Sequence, residues 1–237
     1  MAGITITVRT ANGITPAQGD RMLVTRHGST YWAYAIIPAP PTVAPTPVAP
    51  PDTAPDPGDT APAPKPVTTT GTLMCVPTAT ACYRDGSWRS DGASVNSYDL
   101  YQGRYSGSSY GRMTGCAFYG SKPHSLSGAT CTKATLKLKR LSAGDYSARA
   151  VTLRLVSQTS RPSGAPTLNE STSGPSLKIG DTSTFTLPTS WGQALIDGSR
   201  GGIAISISSD TPYIHLAGRG SWSAAMTLTI SWRRTSS

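Results

Sequence analysis

Charge is scarce in this 237-residue chain: 14% of the residues are charged, and Glu170 is the only glutamate. Helices held by Glu/Lys pairs are therefore nearly excluded. No run approaches the roughly 18 apolar residues of a membrane span. The start, Met-Ala-Gly-Ile-Thr-Ile-Thr-Val, lacks the charged and long apolar regions of a secretory signal, so a role outside a cell implies another route of export. There are two phenylalanines, three histidines and four cysteines. What the chain has instead is Gly and Pro, 24 and 20 of them, with abundant Ser and Thr. That is the make-up of short strands joined by tight turns, and the expected fold class is all-β.

The net charge of +9 is unevenly placed. Residues 1–37 carry three bases against one acid, residues 38–70 one against three, and residues 71–237 seventeen against eight. The bases of the last part are scattered through Ser/Gly-rich sequence, with no RNA-binding signature or recognition helix. Solvation is the reading they support, with nucleic acid not expected as a partner.

Three segments follow from the patterning. In residues 1–37, Ile4, Ile6 and Val8 alternate with polar residues, Asn12-Gly13 makes a turn, and the runs Arg21–Arg26 and Tyr31–Ile37 read as a hairpin across residues 27–30. Three strands this short bury little area, so an oligomer or a platform is expected to complete their core. Residues 38–66 hold 12 prolines in 29 positions without apolar periodicity. They read as an extended linker, polyproline-II-like and up to about 90 Å long. From residue 67 to 237, period-2 runs centre on Ala134–Leu138, Val151–Leu155, Ile203–Ile207 and Met226–Trp232, each with one buried and one wet face. These predict a C-terminal antiparallel β-sandwich. One short helix is expected in residues 188–197, started by Thr189 or Ser190 and stopped at Gly198.

Most catalytic patterns can be set aside. Gly107-Ser108-Ser109-Tyr110-Gly111 matches Gly-x-Ser-x-Gly but sits in a polar tract, where a nucleophile elbow needs a strand before it and a helix after it. His27, His124 and His215 have no metal-ligand spacing, and alternation with Ile214 and Leu216 makes His215 a solvent-facing strand residue. Asp85, Asp91, Asp99 and Asp145 could supply the two carboxylates of a glycosidase, although turns are the default for Asp85-Gly86 and Asp91-Gly92. Neither catalytic residue, cofactor nor metal is expected. Cys75, Cys82, Cys116 and Cys131 lack zinc spacing; Cys75 with Cys82 and Cys116 with Cys131 are candidate disulfides, and four free thiols are the alternative.

The most function-like feature is aromatic. Tyr83, Trp88, Tyr98, Tyr101, Tyr105, Tyr110 and Tyr119 crowd together, interleaved with Arg84, Arg89, Arg104 and Arg112. Flat rings stack on sugar faces, and guanidinium groups hydrogen-bond hydroxyls. The candidate glycan-binding residues are Tyr83, Arg84, Trp88, Arg89, Tyr98, Tyr101, Arg104, Tyr105 and Tyr110.

Several runs also carry a resemblance. Tyr83-Arg-Asp-Gly-Ser-Trp88-Arg89, Asp99-Leu-Tyr101-Gln-Gly-Arg-Tyr105, Phe118-Tyr119-Gly120, Leu126-Ser-Gly-Ala129, Ser160-Arg-Pro-Ser-Gly-Ala-Pro166, Leu187-Pro-Thr-Ser-Trp191 and Leu228-Thr-Ile-Ser-Trp232 occur in this order. Together they resemble the C-terminal domains of minor tail proteins of phages infecting actinobacteria. The opening module with Gly19-Asp-Arg-Met-Leu-Val-Thr25 resembles the heads of such proteins. The resemblance implies a virion component assembled in the host cytoplasm and released by lysis. It implies a jelly-roll or carbohydrate-binding-like sandwich attached to the tail, with self-association as a homotrimer. Joined to the segment reading, it gives the expectation that residues 1–37 contact other virion proteins and that the sandwich takes a host-surface glycan as ligand. A capsid decoration protein or head fibre with the same anchor, stalk and sandwich is one rival reading. A wall-polysaccharide depolymerase using Asp85 or Asp99 is a second, and a purely structural spacer a third.

Overall fold

In the computed structural model, residues 8–10, 15, 21–27, 29–37, 65–91, 96–107, 109–144 and 146–236 are described. The chain divides into two compact units, Met1–Ala61 and Pro62–Ser237, with the division inside the proline-rich segment. Residues 38–64 of the expected linker lie outside the described residues, as do residues 4–7 of the first expected strand.

The first unit is a three-stranded sheet of β1 (Val8–Thr10), β2 (Arg21–His27) and β3 (Thr30–Ile37), ordered β1-β3-β2. The β2–β3 pair is the hairpin expected from the sequence, with His27 opposite Thr30, while β1 runs parallel to β3. The ladder slips between Leu23 and Val24, so the strict alternation of β2 breaks there. Ala33 is buried, but Leu23, Val24 and Ile36 are exposed.

The second unit holds β4 (Val67–Cys75), β5 (Ala79–Arg84), β6 (Ser87–Trp88), β7 (Leu100–Gly103), β8 (Met113–Phe118), β9 (Thr130–Gly144), β10 (Arg149–Val156), β11 (Leu168–Leu177), β12 (Thr182–Leu187), β13 (Gly202–Ile205), β14 (Ile214–Leu216) and β15 (Leu228–Ser236). They form one large sheet ordered β11-β10-β13-β8-β7-β14-β9-β15-β4, with β12 on β9, β5 on β8 and β6 on β5. Every pairing between these named strands is antiparallel. The long β9 joins its parts: residues 130–136 lie beside β15, residues 134–139 beside β12, and residues 140 and 144 beside β14.

Period-2 patterning explains most of the core. Ala134, Leu136 and Leu138 of β9 are buried, with Lys133 and Lys137 exposed on the other face. The same parity continues into Arg140, which is fully buried and donates from Nη1 to the carbonyls of Leu177 (2.6 Å) and Ser147 (2.8 Å). Val151, Leu153 and Leu155 of β10, and Leu228 and Ile230 of β15, join the same cluster.

Three expectations need correction. β13 has no wet face: all four residues are buried, because Ala204 packs in a second cluster with Ala81, Cys116, Phe118 and Val156. Ile207 lies beyond β13, and Met226 precedes β15 with a φ of +53°. The helix α1 (Thr189–Ile196) begins behind Pro188, without a side-chain cap from Thr189 or Ser190. It buries Trp191, Leu195 and Ile196, and Gln193 ties it to the start of β9 by accepting from Cys131 N–H (2.8 Å) and donating to the Ala129 carbonyl (3.2 Å). Among the described residues no helix is long and apolar enough to cross a membrane.

Candidate functional site

The aromatic run divides into side chains that pack and side chains that line open space. Asp85-Gly86, both at positive φ, turn β5 into β6 and set Tyr83 opposite Trp88. Their rings meet edge to face at 5.2 Å, and Trp88 meets Phe118 at 6.0 Å. The Trp88 indole N–H donates to the Gly164 carbonyl (3.0 Å), so this ring covers the second core cluster. Arg84 lies 3.8 Å above the Tyr110 ring, and Asp85 accepts from Gly111 N–H (2.8 Å). Tyr98 is buried, and Tyr119 is buried with its hydroxyl donating to the Met226 carbonyl at 2.7 Å.

A second group is assembled by β7 and β14. Their register sets Tyr101 opposite His215, and the two rings stack at 4.3 Å and 8°. Tyr101 also stacks on Tyr213 at 5.9 Å, and Tyr105 meets Tyr213 edge-on at 5.5 Å. His215 is therefore largely covered rather than solvent-facing. Its Nε2 stands 3.0 Å from Asp99 Oδ2, while Asp99 Oδ1 accepts from Gly218 N–H at 2.7 Å. Burial alone pushes the Asp99 carboxyl up, but hydrogen bonds from His215, Gly218 and Ser221 outweigh it, and the net direction is down.

Beside this stack opens a cleft of about 550 Å³, walled by Arg104, Tyr105, Tyr146, Thr211 and Tyr213. It meets a second space of about 530 Å³ that shares Arg104, Tyr105, Ser106 and Thr211 and adds Asp210. Tyr105 is 54% exposed and Tyr146 is 89% exposed. Asp210 lies between two guanidinium groups, 3.8 Å from Arg104 and 3.3 Å from Arg112; Arg112 also donates to the Ser208 carbonyl. The cleft and the space adjoining it thus offer exposed phenol rings, Arg104 paired with Asp210, and the hydroxyl-bearing residues Ser106 and Thr211. A recess of about 300 Å³ is lined by Tyr101 together with Arg89, Asp91, Tyr98 and Asp99. Arg89 binds Asp91 through two 3.0 Å hydrogen bonds, which hold the Asp91 carboxyl down to about 2.

Of the nine candidates, Arg104 and Tyr105 line the cleft, and Tyr101 supports it from behind. Arg89, Tyr98 and Tyr101 line the recess. Tyr83 and Trp88 pack, and Arg84 with Tyr110 forms a separate stacked pair. Sequence reasoning missed Tyr146, Asp210, Thr211 and Tyr213, which arrive from loops 40 to 110 positions later in the chain. The alternation of Tyr213 and His215 around the apolar Ile214 was the available signal.

The other residues weighed for chemistry are engaged elsewhere. His124 Nδ1 lies 2.8 Å from the Ile196 carbonyl. Asp145, Ser108 and the His27 side chain lie outside the described residues. Among the described residues, no group of three or more His, Cys, Asp or Glu is placed to hold a metal ion. The four cysteines are free and buried. Neither candidate disulfide is formed, and the sheet order explains why: β4 is not beside β5, and β8 is not beside β9. Burial pushes the Cys75 thiol up to about 11 and that of Cys82 up to about 12.

No protein-family model matches the chain, and a search of curated proteins found no match.

Proposed function

We propose that the protein is a virion component, a minor tail protein or tail fibre subunit of a phage infecting actinobacteria, that attaches to glycans of the host envelope. Residues 1–37 serve as the anchor to other virion proteins and to neighbouring copies, the proline-rich segment serves as the stalk, and the second unit is displayed. The large antiparallel sheet fits a jelly-roll-like sandwich, since β9 links its two parts and one main apolar cluster draws on strands of both.

The observation that carries the glycan reading is the open cleft with Tyr105, Tyr146 and Tyr213 on its walls, and the Arg104–Asp210 pair where it adjoins the second space. Exposed rings offer stacking faces to a sugar, and paired polar groups at their rim offer directional hydrogen bonds. A binder is favoured over a depolymerase because Asp85, Asp91 and Asp99 are each committed to a neighbouring backbone or side-chain donor. Weak single sites gain through copy number on one particle. Immunogold labelling of virions with an antibody against residues 67–237 tests the setting. Label at the tail supports the proposal, label on the capsid transfers the same architecture to a decoration protein, and virions without label overturn it.

A further inference from the structure

The large apolar and aromatic side chains left exposed in the second unit fall in two places. Tyr105, Tyr110 and Tyr146 sit on loops, two of them in the cleft; Val67, Met74 and Val76 lie on β4 or just past it. A solvated edge strand with apolar side chains at both ends needs a physical account.

β4 ends the strand order and pairs on one side only, with β15, in an unbroken register from Val67 opposite Ser236 to Cys75 opposite Leu228. Among the described residues nothing pairs with its outer edge. Edge strands are normally blunted by charge, proline, bulges or shortness. β11, at the opposite end of the order, has such features: Glu170, Gly174-Pro175 and two register shifts. β6 has only two residues, and β12, which pairs β9 alone, is also uncharged but has six. β4 has nine residues, no charge, no proline and no register shift.

We propose that β4 is the seam through which two copies of this chain join, antiparallel β4 to β4, so that the sheet runs on across a two-fold axis. An isologous contact requires an edge complementary to itself. β4 meets this condition, because an uncharged strand brings no like-charge repulsion when it faces its own copy. In such a pair, facing residues share a side of the sheet. The core-side positions Gly71, Leu73 and Cys75 then meet their own kind, as do the solvent-side positions Thr68, Thr70, Thr72 and Met74. The Trp232 ring already reaches from β15 over β4, for a Cβ on Gly71 would stand 2.7 Å from its Cζ2 atom. The indole is thereby brought to the seam. The chain's own residues 38–66 are a poor substitute, since their 12 prolines lack the N–H groups that a ladder needs.

The test is sedimentation equilibrium of the full chain beside the double variant Thr70→Lys/Thr72→Lys, whose two positions are exposed. The unaltered chain should sediment at an even multiple of 24.7 kDa. The variant should sediment at half that mass, with an unchanged circular dichroism spectrum. An odd multiple for the unaltered chain, monomer included, overturns the proposal, as does an unchanged mass for a variant that folds. Should the variant not fold, amide exchange of the unaltered chain decides: protection of β4 that rises with concentration supports the seam, and concentration-independent exchange refutes it.

Discussion

Gly103 ends β7 directly before Arg104 of the cleft, and replacing it with alanine tests how closely the cleft's surroundings are built. Its φ is +78°, and a Cβ there would stand 2.6 Å from the backbone carbonyl oxygens of both Asp210 and Pro212. Gly86 is the matched control: its φ is +79°, and nothing lies within 4 Å of its Cβ position. Each alanine incurs the left-handed backbone penalty of about 1–2 kcal/mol. Only Gly103→Ala must also displace two main-chain carbonyls, and overpacking of that kind costs about 1–3 kcal/mol more. For a domain of this size the difference between the variants corresponds to roughly 2–12 °C in Tm. Thermal denaturation of the full chain followed by circular dichroism measures it, and Gly103→Ala should also weaken ligand binding, because Asp210 and Tyr213 flank the displaced segment. Equal melting temperatures for the two variants would refute the close approach and, with it, the geometry of the cleft.

Three further outcomes concern buried or half-buried groups. Tyr119→Phe keeps the ring but strands the Met226 carbonyl, and it should lower stability by about 1–3 kcal/mol in urea titrations. Native protein at pH 8 should resist iodoacetamide at all four cysteines and react at all four in denaturant, as counted by mass spectrometry, because burial holds every thiol up. Asp99 has a carboxyl pKa lowered in the folded state, so its contribution is fully present above the unfolded value of about 3.8 and is lost as pH falls through the lower folded value. In acid titrations Asp99→Asn should therefore be less stable at neutral pH and show a shallower loss below pH 3.8 than the unaltered chain.

The sequence pattern reached as far as local periodicity reaches. The buried parity of β9, β10 and β15 was readable because each alternates apolar and polar residues around a single core. β13 was misread, since a strand covered on both faces loses that alternation, and Ala204 does not distinguish a solvent face from a second small core. His215 was misread for a related reason: a polar residue between Ile214 and Leu216 looks wet until a stacked Tyr101 and a bound Asp99 cover it. The site was half legible. Arg104, Tyr105 and Tyr101 stand in the crowded aromatic stretch, but Asp210 and Tyr213 are brought to them by the β7–β14 pairing and Tyr146 by the β14–β9 pairing, which no local pattern announces. Linear crowding does not separate the cleft residues from Tyr83 and Trp88, whose rings pack on each other and on Phe118.

Binding of envelope glycan in the tyrosine cleft is measured by retention of the full chain on purified actinobacterial cell walls beside the variant Tyr105→Ala/Tyr213→Ala. Each lost ring contact is worth about 0.5–1.5 kcal/mol, so the double variant should bind roughly 5- to 150-fold more weakly while the packing variant Tyr83→Ala, if folded, retains binding. Retention of the double variant equal to that of the unaltered chain would rule out the cleft as the glycan site.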